Sequence, residues 1–156
     1  MDDVTQKKAE EVYGLLCMAL SGRRIKYISD QQTLTVRFPV QGRLYPGELQ
    51  IRVDPEYEMV VLTAELPFRV KAARRLDMAV AVCALCYKLY IGRLEYDMRK
   101  GLVAYKMTDL YFNSQLSPGF FREMVRTAQK LARRCYRILK ALNDGTITVE
   151  KFLKGE

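Results

Sequence analysis

The chain has 156 residues, 49% of them apolar, with 26 Lys and Arg against 18 Asp and Glu for a net charge of +8. That is one domain's length with enough apolar matter for a core, which excludes a disordered chain. It has no histidine, so the commonest general base and metal ligand is missing, and Ser-His and Cys-His nucleophile pairs are excluded.

The opening MDDVTQKKAEE mixes acids and bases without an apolar run, so no secretory signal is expected. Asp2 and Asp3 can cap a first helix that runs to about Leu20, with Val12, Leu15, Leu16, Ala19 and Leu20 at helical spacing and Gly22 at its end. Period-two alternation follows. Leu34, Val36, Phe38 and Val40 share one strand face, with Thr35 and Arg37 on the other. Pro39 has no N–H to donate, so its flank of the strand belongs at an edge or a bulge. Gly42 turns the chain. Leu49, Ile51 and Val53 alternate with Gln50 and Arg52 in a second strand, and Asp54-Pro55-Glu56 makes a turn. A third strand, Tyr57 to Glu65, is apolar on both faces from Met59 to Leu62, which places it centrally in a sheet.

Leu66-Pro67 breaks the sheet and opens a second helix over about Phe68 to Tyr90. Its second half, MAVAVCALCY, is apolar nearly all round, so it is expected to be buried on more than one side, against the sheet and either another helix or a partner subunit. The surrounding stretch from Met78 to Ile91 contains Lys88 and falls short of the roughly 20 residues needed to span a bilayer. Gly92 ends the helix. Leu94, Tyr96 and Met98 alternate with Arg93, Glu95 and Asp97; Arg99-Lys100-Gly101 is a hairpin loop; Val103, Tyr105 and Met107 return. Ser117 and Pro118 are an N-cap and first position for a last long helix, which Asp144-Gly145 stops near Asn143. Ile147, Val149, Phe152 and Leu153 form a short tail that should dock on the body. The order α-βββ-α-ββ-α gives an α+β fold, one antiparallel sheet packed with helices, as a single domain over residues 1–156.

The last helix carries the strongest pattern. Phe121, Met124, Val125, Ala128, Leu131, Ala132, Cys135, Ile138, Leu139 and Leu142 fall on one face and are expected to be core. Arg122, Arg126, Lys130, Arg133, Arg137 and Lys140 form a stripe nearly opposite, with Arg134 beside it. Seven cations against the single acid Glu123 put +6 of the chain's +8 on this element. The stripe reads either as a solvated face or as an anion-binding rail for nucleic acid, an acidic protein or a membrane surface. No stacking aromatics are interleaved in it apart from nearby Tyr136, which weakens a single-strand platform.

Other constellations read as structure. Cys83-x-x-Cys86 has redox or zinc spacing, but no second pair completes a zinc site and the pair lies in an apolar helix end, so core packing is expected. Cys17 and Cys135 occupy similar surroundings, and with no export signal all four thiols are expected reduced. Glu95 and Asp97 share a strand face and read as solvent-facing rather than as a paired-acid site. Gly42 to Gly47 lacks the spacing and lysine of a phosphate loop. Met78, Met98, Met107 and Met124 sit at positions read as core filling.

Gly92-Arg93-Leu94-Glu95-Tyr96-Asp97 followed by Gly101-Leu102-Val103-Ala104-Tyr105-Lys106 resembles the YbjN family of bacterial sensory transduction regulators, as do Leu66-Pro67 with Arg75 upstream and Leu116-Ser117 opening a helix downstream. The resemblance implies a type III secretion chaperone-like fold in a small bacterial cytosolic protein, of a kind that often forms dimers and binds an extended segment of another protein. It supplies no catalytic residue. The combined expectation is a non-enzymatic, cytoplasmic protein-binding module, chaperone-like or regulatory, partnered by another protein or by itself as a homodimer. No cofactor, metal or membrane span is expected. The alternative is nucleic-acid or anionic-surface binding through Arg122, Arg126, Lys130, Arg133, Arg137 and Lys140.

Overall fold

The computed structural model describes residues 3–40 and 45–155. The expected Asp2 cap and Gly42 turn lie outside these residues. In chain order the elements are α1 (Asp3–Gly22), β1 (Ile28–Asp30), β2 (Thr35–Pro39), β3 (Glu48–Asp54), β4 (Met59–Glu65), α2 (Arg75–Lys88, entered through a 3-10 turn at Ala72–Arg74), β5 (Arg93–Asp97), β6 (Leu102–Leu110), α3 (Pro118–Asp144) and α4 (Val149–Lys154). The six strands form one sheet in the order β1-β2-β3-β4-β6-β5, with every neighbouring pair antiparallel. The α+β architecture read from the sequence is the architecture observed.

Three strands turn back by the same local device. The carboxylate of Asp30 accepts the backbone N–H groups of Gln32 and Thr33 at 2.9 and 3.2 Å. Asp54 does the same for Glu56 and Tyr57, and Asp97 for Arg99 and Lys100. An aspartate at the end of a strand thus satisfies the turn's own donors, as side-chain-to-backbone turns do. In the last of these turns Gly101 has φ +67°, and a Cβ there would lie 3.0 Å from the Val70 carbonyl oxygen.

Helices cover one face of the sheet only. Ile51, Val60, Leu62, Val103 and Tyr105 are fully buried beneath them together with Leu16, Phe121, Ala128 and Leu139. The other face is open: Arg37, Gln50 and Arg52 are exposed, and Met59, Val61 and Thr63 are half-buried. This explains why β4 reads apolar on both faces. It lies in the sheet's interior, where its neighbours β3 and β6 half-cover Met59 and Val61 without a layer above them.

The structure corrects several boundaries. β1 was not anticipated; its three residues are all exposed and show no alternation to detect. Leu34 precedes β2 with φ +49°, so Leu34, Thr35 and Val36 are all buried where strict alternation was expected. Pro39 ends β2 beyond the reach of β1, which pairs only with residues 35–37, and so sits where one flank of the strand is free. The tail forms α4, capped by Thr148, and docks at home with Phe152 in the core.

The largest correction concerns α2, which starts at Arg75 and not at Phe68. The intervening segment is held extended from both sides. Val70 N–H donates to the Gly101 carbonyl at 2.9 Å. Asn143, nearly fully buried on α3, accepts from Lys71 N–H at 2.9 Å and donates to the Arg69 carbonyl at 3.0 Å. One side-chain amide therefore serves this segment as a neighbouring strand would. Asn143→Ala should cost about 1–3 kcal/mol, the value of two hydrogen bonds whose backbone partners lose their mate. Leu139→Ala, at a fully buried position, should cost about 2–5 kcal/mol. Urea unfolding checks both.

Candidate functional site

Two adjoining surfaces stand out: an apolar stripe on α2 and a basic-edged groove along α3. On α2, Met78, Ala81, Val82 and Leu85 face the core. Leu76, Val80, Cys83 and Tyr87 follow at spacings of four, three and four on the opposite side, all exposed, with Leu76 at 75%, Val80 at 46% and Tyr87 at 91%. Spacing of this kind sets them in one line about 16 Å long, at 1.5 Å rise per residue. The all-round apolar character is therefore real, but within one chain only one side of α2 is covered. The exposed line continues past the helix into Tyr90 and Ile91.

The link from α2 to β5 is fixed by backbone geometry. Gly92 has φ +72°, and a Cβ there would come within 2.5 Å of the Tyr105 hydroxyl. That hydroxyl donates to the Ile91 carbonyl at 3.0 Å. Cys86 anchors the same corner: Leu94 N–H donates to its sulfur at 3.2 Å, and its thiol donates to the Leu94 carbonyl at 3.5 Å. Residues 88–91 are thereby presented outward beside α3.

There they meet the basic stripe. Leu89, Tyr90 and Ile91 and the α3 side chains Leu131 and Tyr136 line an open groove of about 1000 Å³. Of the six candidate residues, Arg126, Lys130, Arg133, Arg137 and Lys140 border this groove and Arg122 does not. Lys88 and Arg134 add two more cations, and the one acid among the lining residues is Asp144. Asp144 pairs with Lys140, and Glu123 pairs with Arg126. Lys130, Arg133 and Arg137 make no ion pair among the described residues. Leu131, expected in the core, is half-buried: it packs against the core and also lines the groove.

The other constellations sort by surroundings. Cys83 is exposed, which corrects its expected place in the core; the neighbouring turn of α2 faces outward because no helix lies over it. Met98 is likewise exposed, while Met78 and Met124 are buried. Cys135 is buried, and burial pushes its thiol up to about 11. Burial raises the Glu95 carboxyl, but hydrogen bonds from Lys106 and Arg93 outweigh it and hold the group below the usual carboxylate range. Lys106 lies 2.6 Å and Arg93 2.9 Å from Glu95. Asp97, lowered by the Lys100 backbone N–H, serves its turn. Neither carboxylate stands free for acid–base work. Among the described residues no cluster of three or more His, Cys, Asp or Glu side chains is placed to hold a metal ion, and no helix is long and apolar enough to cross a membrane.

No family model matches the chain, and no curated protein matches its sequence. Solved structures do share its fold. YbjN from E. coli, a candidate transcription regulator, superposes with a TM-score of 0.64 at 13% identity over 83% of this chain and 89% of its own. A chain of the ExsC–ExsE complex gives 0.61 at 15% identity, covering 83% of this chain and 93% of that one. A chain of the HopA1–SchA chaperone–effector complex gives 0.58 at 15% identity, covering 84% and 96%. Likeness at this level of identity establishes a YbjN-like, type III secretion chaperone-like fold.

Thiol chemistry offers a direct check of the α2 surface. With the protein folded at neutral pH and diluted until it is a monomer, maleimide should modify Cys83 rapidly and leave Cys135 unmodified until denaturant is added, since the thiolate is the reactive form and access is required. Peptide mapping by mass spectrometry after a timed quench reads both.

Proposed function

We propose that this protein is a non-enzymatic protein-binding module, chaperone-like or regulatory, which acts in the bacterial cytosol and pairs with a second copy of itself through α2. The observation that carries this reading is the exposed line Leu76-Val80-Cys83-Tyr87. A helix that is apolar on both sides normally buries both. A two-fold axis across α2 would set this line against its own copy, the self-complementary arrangement that symmetric dimers use. Ala73, Ala79 and Ala84 flank the line and permit close approach of the two helices.

The line alone is narrower than the roughly 800 Å² per partner of a standard interface. β5, a sheet edge directly beside α2, adds the second component. Its exposed Arg93 and Asp97 alternate in charge, which favours an antiparallel copy over indiscriminate edge pairing. The fold supports the protein-binding part of the reading, because a chain of a chaperone–effector complex shares it.

Light scattering should give a dimer mass that high salt does little to reduce, since the α2 line at the centre of the contact is apolar. Val80→Glu and Leu76→Glu should each weaken self-association by about tenfold or more with little change in thermal midpoint, because both side chains are exposed in the single chain. A wild-type monomer at all concentrations tested, or a dimer indifferent to both variants, would remove the support for this reading.

A further inference from the structure

The groove bordered by α3 and residues 88–91 adjoins the Tyr87 end of the α2 line, and pairing through that line leaves the groove's occupant unspecified. We infer that it is a docking site for an acidic, amphipathic segment of a partner protein. The inference goes beyond the proposed self-pairing and does not depend on it.

Charge complementarity is the first argument. Among the described residues, Lys130, Arg133 and Arg137 border the groove without ion-pair partners, while the sole lining acid is engaged by Lys140. Cations packed along one helix face, with Lys130 and Arg137 exposed and Arg133 half-buried, repel one another and stabilise the fold little. A carboxylate-rich segment relieves that repulsion. Composition of the rest of the lining is the second argument. Leu89, Tyr90, Ile91 and Leu131 bring an apolar surface against the cations, and a purely anionic ligand leaves that surface wet. A segment with acids along one side and aliphatic or aromatic side chains along the other satisfies both parts. Shape is the third. The stretch from Arg126 to Lys140 spans on the order of 20 Å, and about 1000 Å³ suits one short helix or strand of a partner. Duplex nucleic acid needs a convex element to enter a major groove about 12 Å wide, and this surface is concave. Single strands need a succession of stacking rings, whereas Tyr90 and Tyr136 are the only aromatics among the described lining residues.

The test is fluorescence anisotropy with four labelled probes of equal length. They are a peptide with Glu and Asp on one helical face and Leu and Phe on the other, its Lys-for-acid counterpart, an all-glutamate peptide, and single-stranded oligo-dT. The acidic amphipathic peptide should bind most tightly, by about tenfold over the all-glutamate peptide and the oligonucleotide. Its affinity should fall as salt rises, because exposed charges are screened beyond about 8–10 Å. The Lys-for-acid peptide should not bind. The triple variant Lys130→Glu/Arg133→Glu/Arg137→Glu should lose about tenfold or more in affinity. Tyr90→Ser/Ile91→Ser should weaken the amphipathic peptide and leave the all-glutamate peptide unchanged; both side chains are exposed, so folding, checked by circular dichroism, should survive. Val80→Glu should bind the peptide as the wild type does, which separates this site from self-pairing. Tighter binding of oligo-dT, equal binding of the all-glutamate peptide, or indifference to the folded triple variant would each overturn the assignment.

Discussion

The structure turns on how the chain crosses from the four-stranded meander to the β5–β6 hairpin. Phe68 to Lys71 is pinned between two parts of the molecule, the Gly101 turn on one side and the Asn143 amide on the other. That bracket keeps this stretch extended and delays the start of α2 to Arg75. The bracket also joins the two ends of the chemistry: α3 supplies the clamp and, on the opposite face, the cations that border the groove.

Buried tyrosines repeat the same logic at smaller scale. Tyr45 donates to the Glu65 carbonyl, Tyr105 to Ile91 and Tyr111 to Asp54. Each fills core volume with its ring and spends its hydroxyl on a carbonyl at the end of a strand or, for Ile91, in the link after α2, where no ladder or helix supplies a donor. Burial pushes Tyr111 up to about 12 and Tyr45 and Tyr105 further still, so the hydroxyls remain donors through the physiological range. In a chain without histidine or tryptophan, tyrosine takes the role of polar-tipped core filler.

What the sequence revealed followed the range of the interaction. Ser117, Pro118 and Gly145 delimit α3 correctly because caps are local: Ser117 accepts from Phe120 N–H, and Gly145 takes the left-handed conformation. The alternation of Leu49, Ile51 and Val53 placed β3 for the same reason. Asn143 carried no readable signal, since its partners lie 72 and 74 residues away. The basic stripe was visible as a stripe, but a groove needs a second wall, and that wall comes from residues 88–91, which helical periodicity assigned to the same buried helix as Met78. Cys83 was misplaced for a related reason: apolar character shows that a side chain can be covered, not what in the fold covers it.

The one-sided layering has a consequence for synthesis. All six strands precede α3 in the chain, yet α3 supplies Phe121, Ala128, Ala132 and Leu139 to the layer over the sheet. During translation the strands emerge first, and the face bearing Leu62, Val103 and Tyr105 waits for a helix not yet made. α1 emerges early enough to shield one flank, and local hairpins close quickly, but the rest of that face and the crossover bracket must await contacts of long sequence separation. For that interval the nascent chain exposes an apolar surface wider than anything the finished molecule displays. The ribosome-bound form is thus the one most open to aggregation.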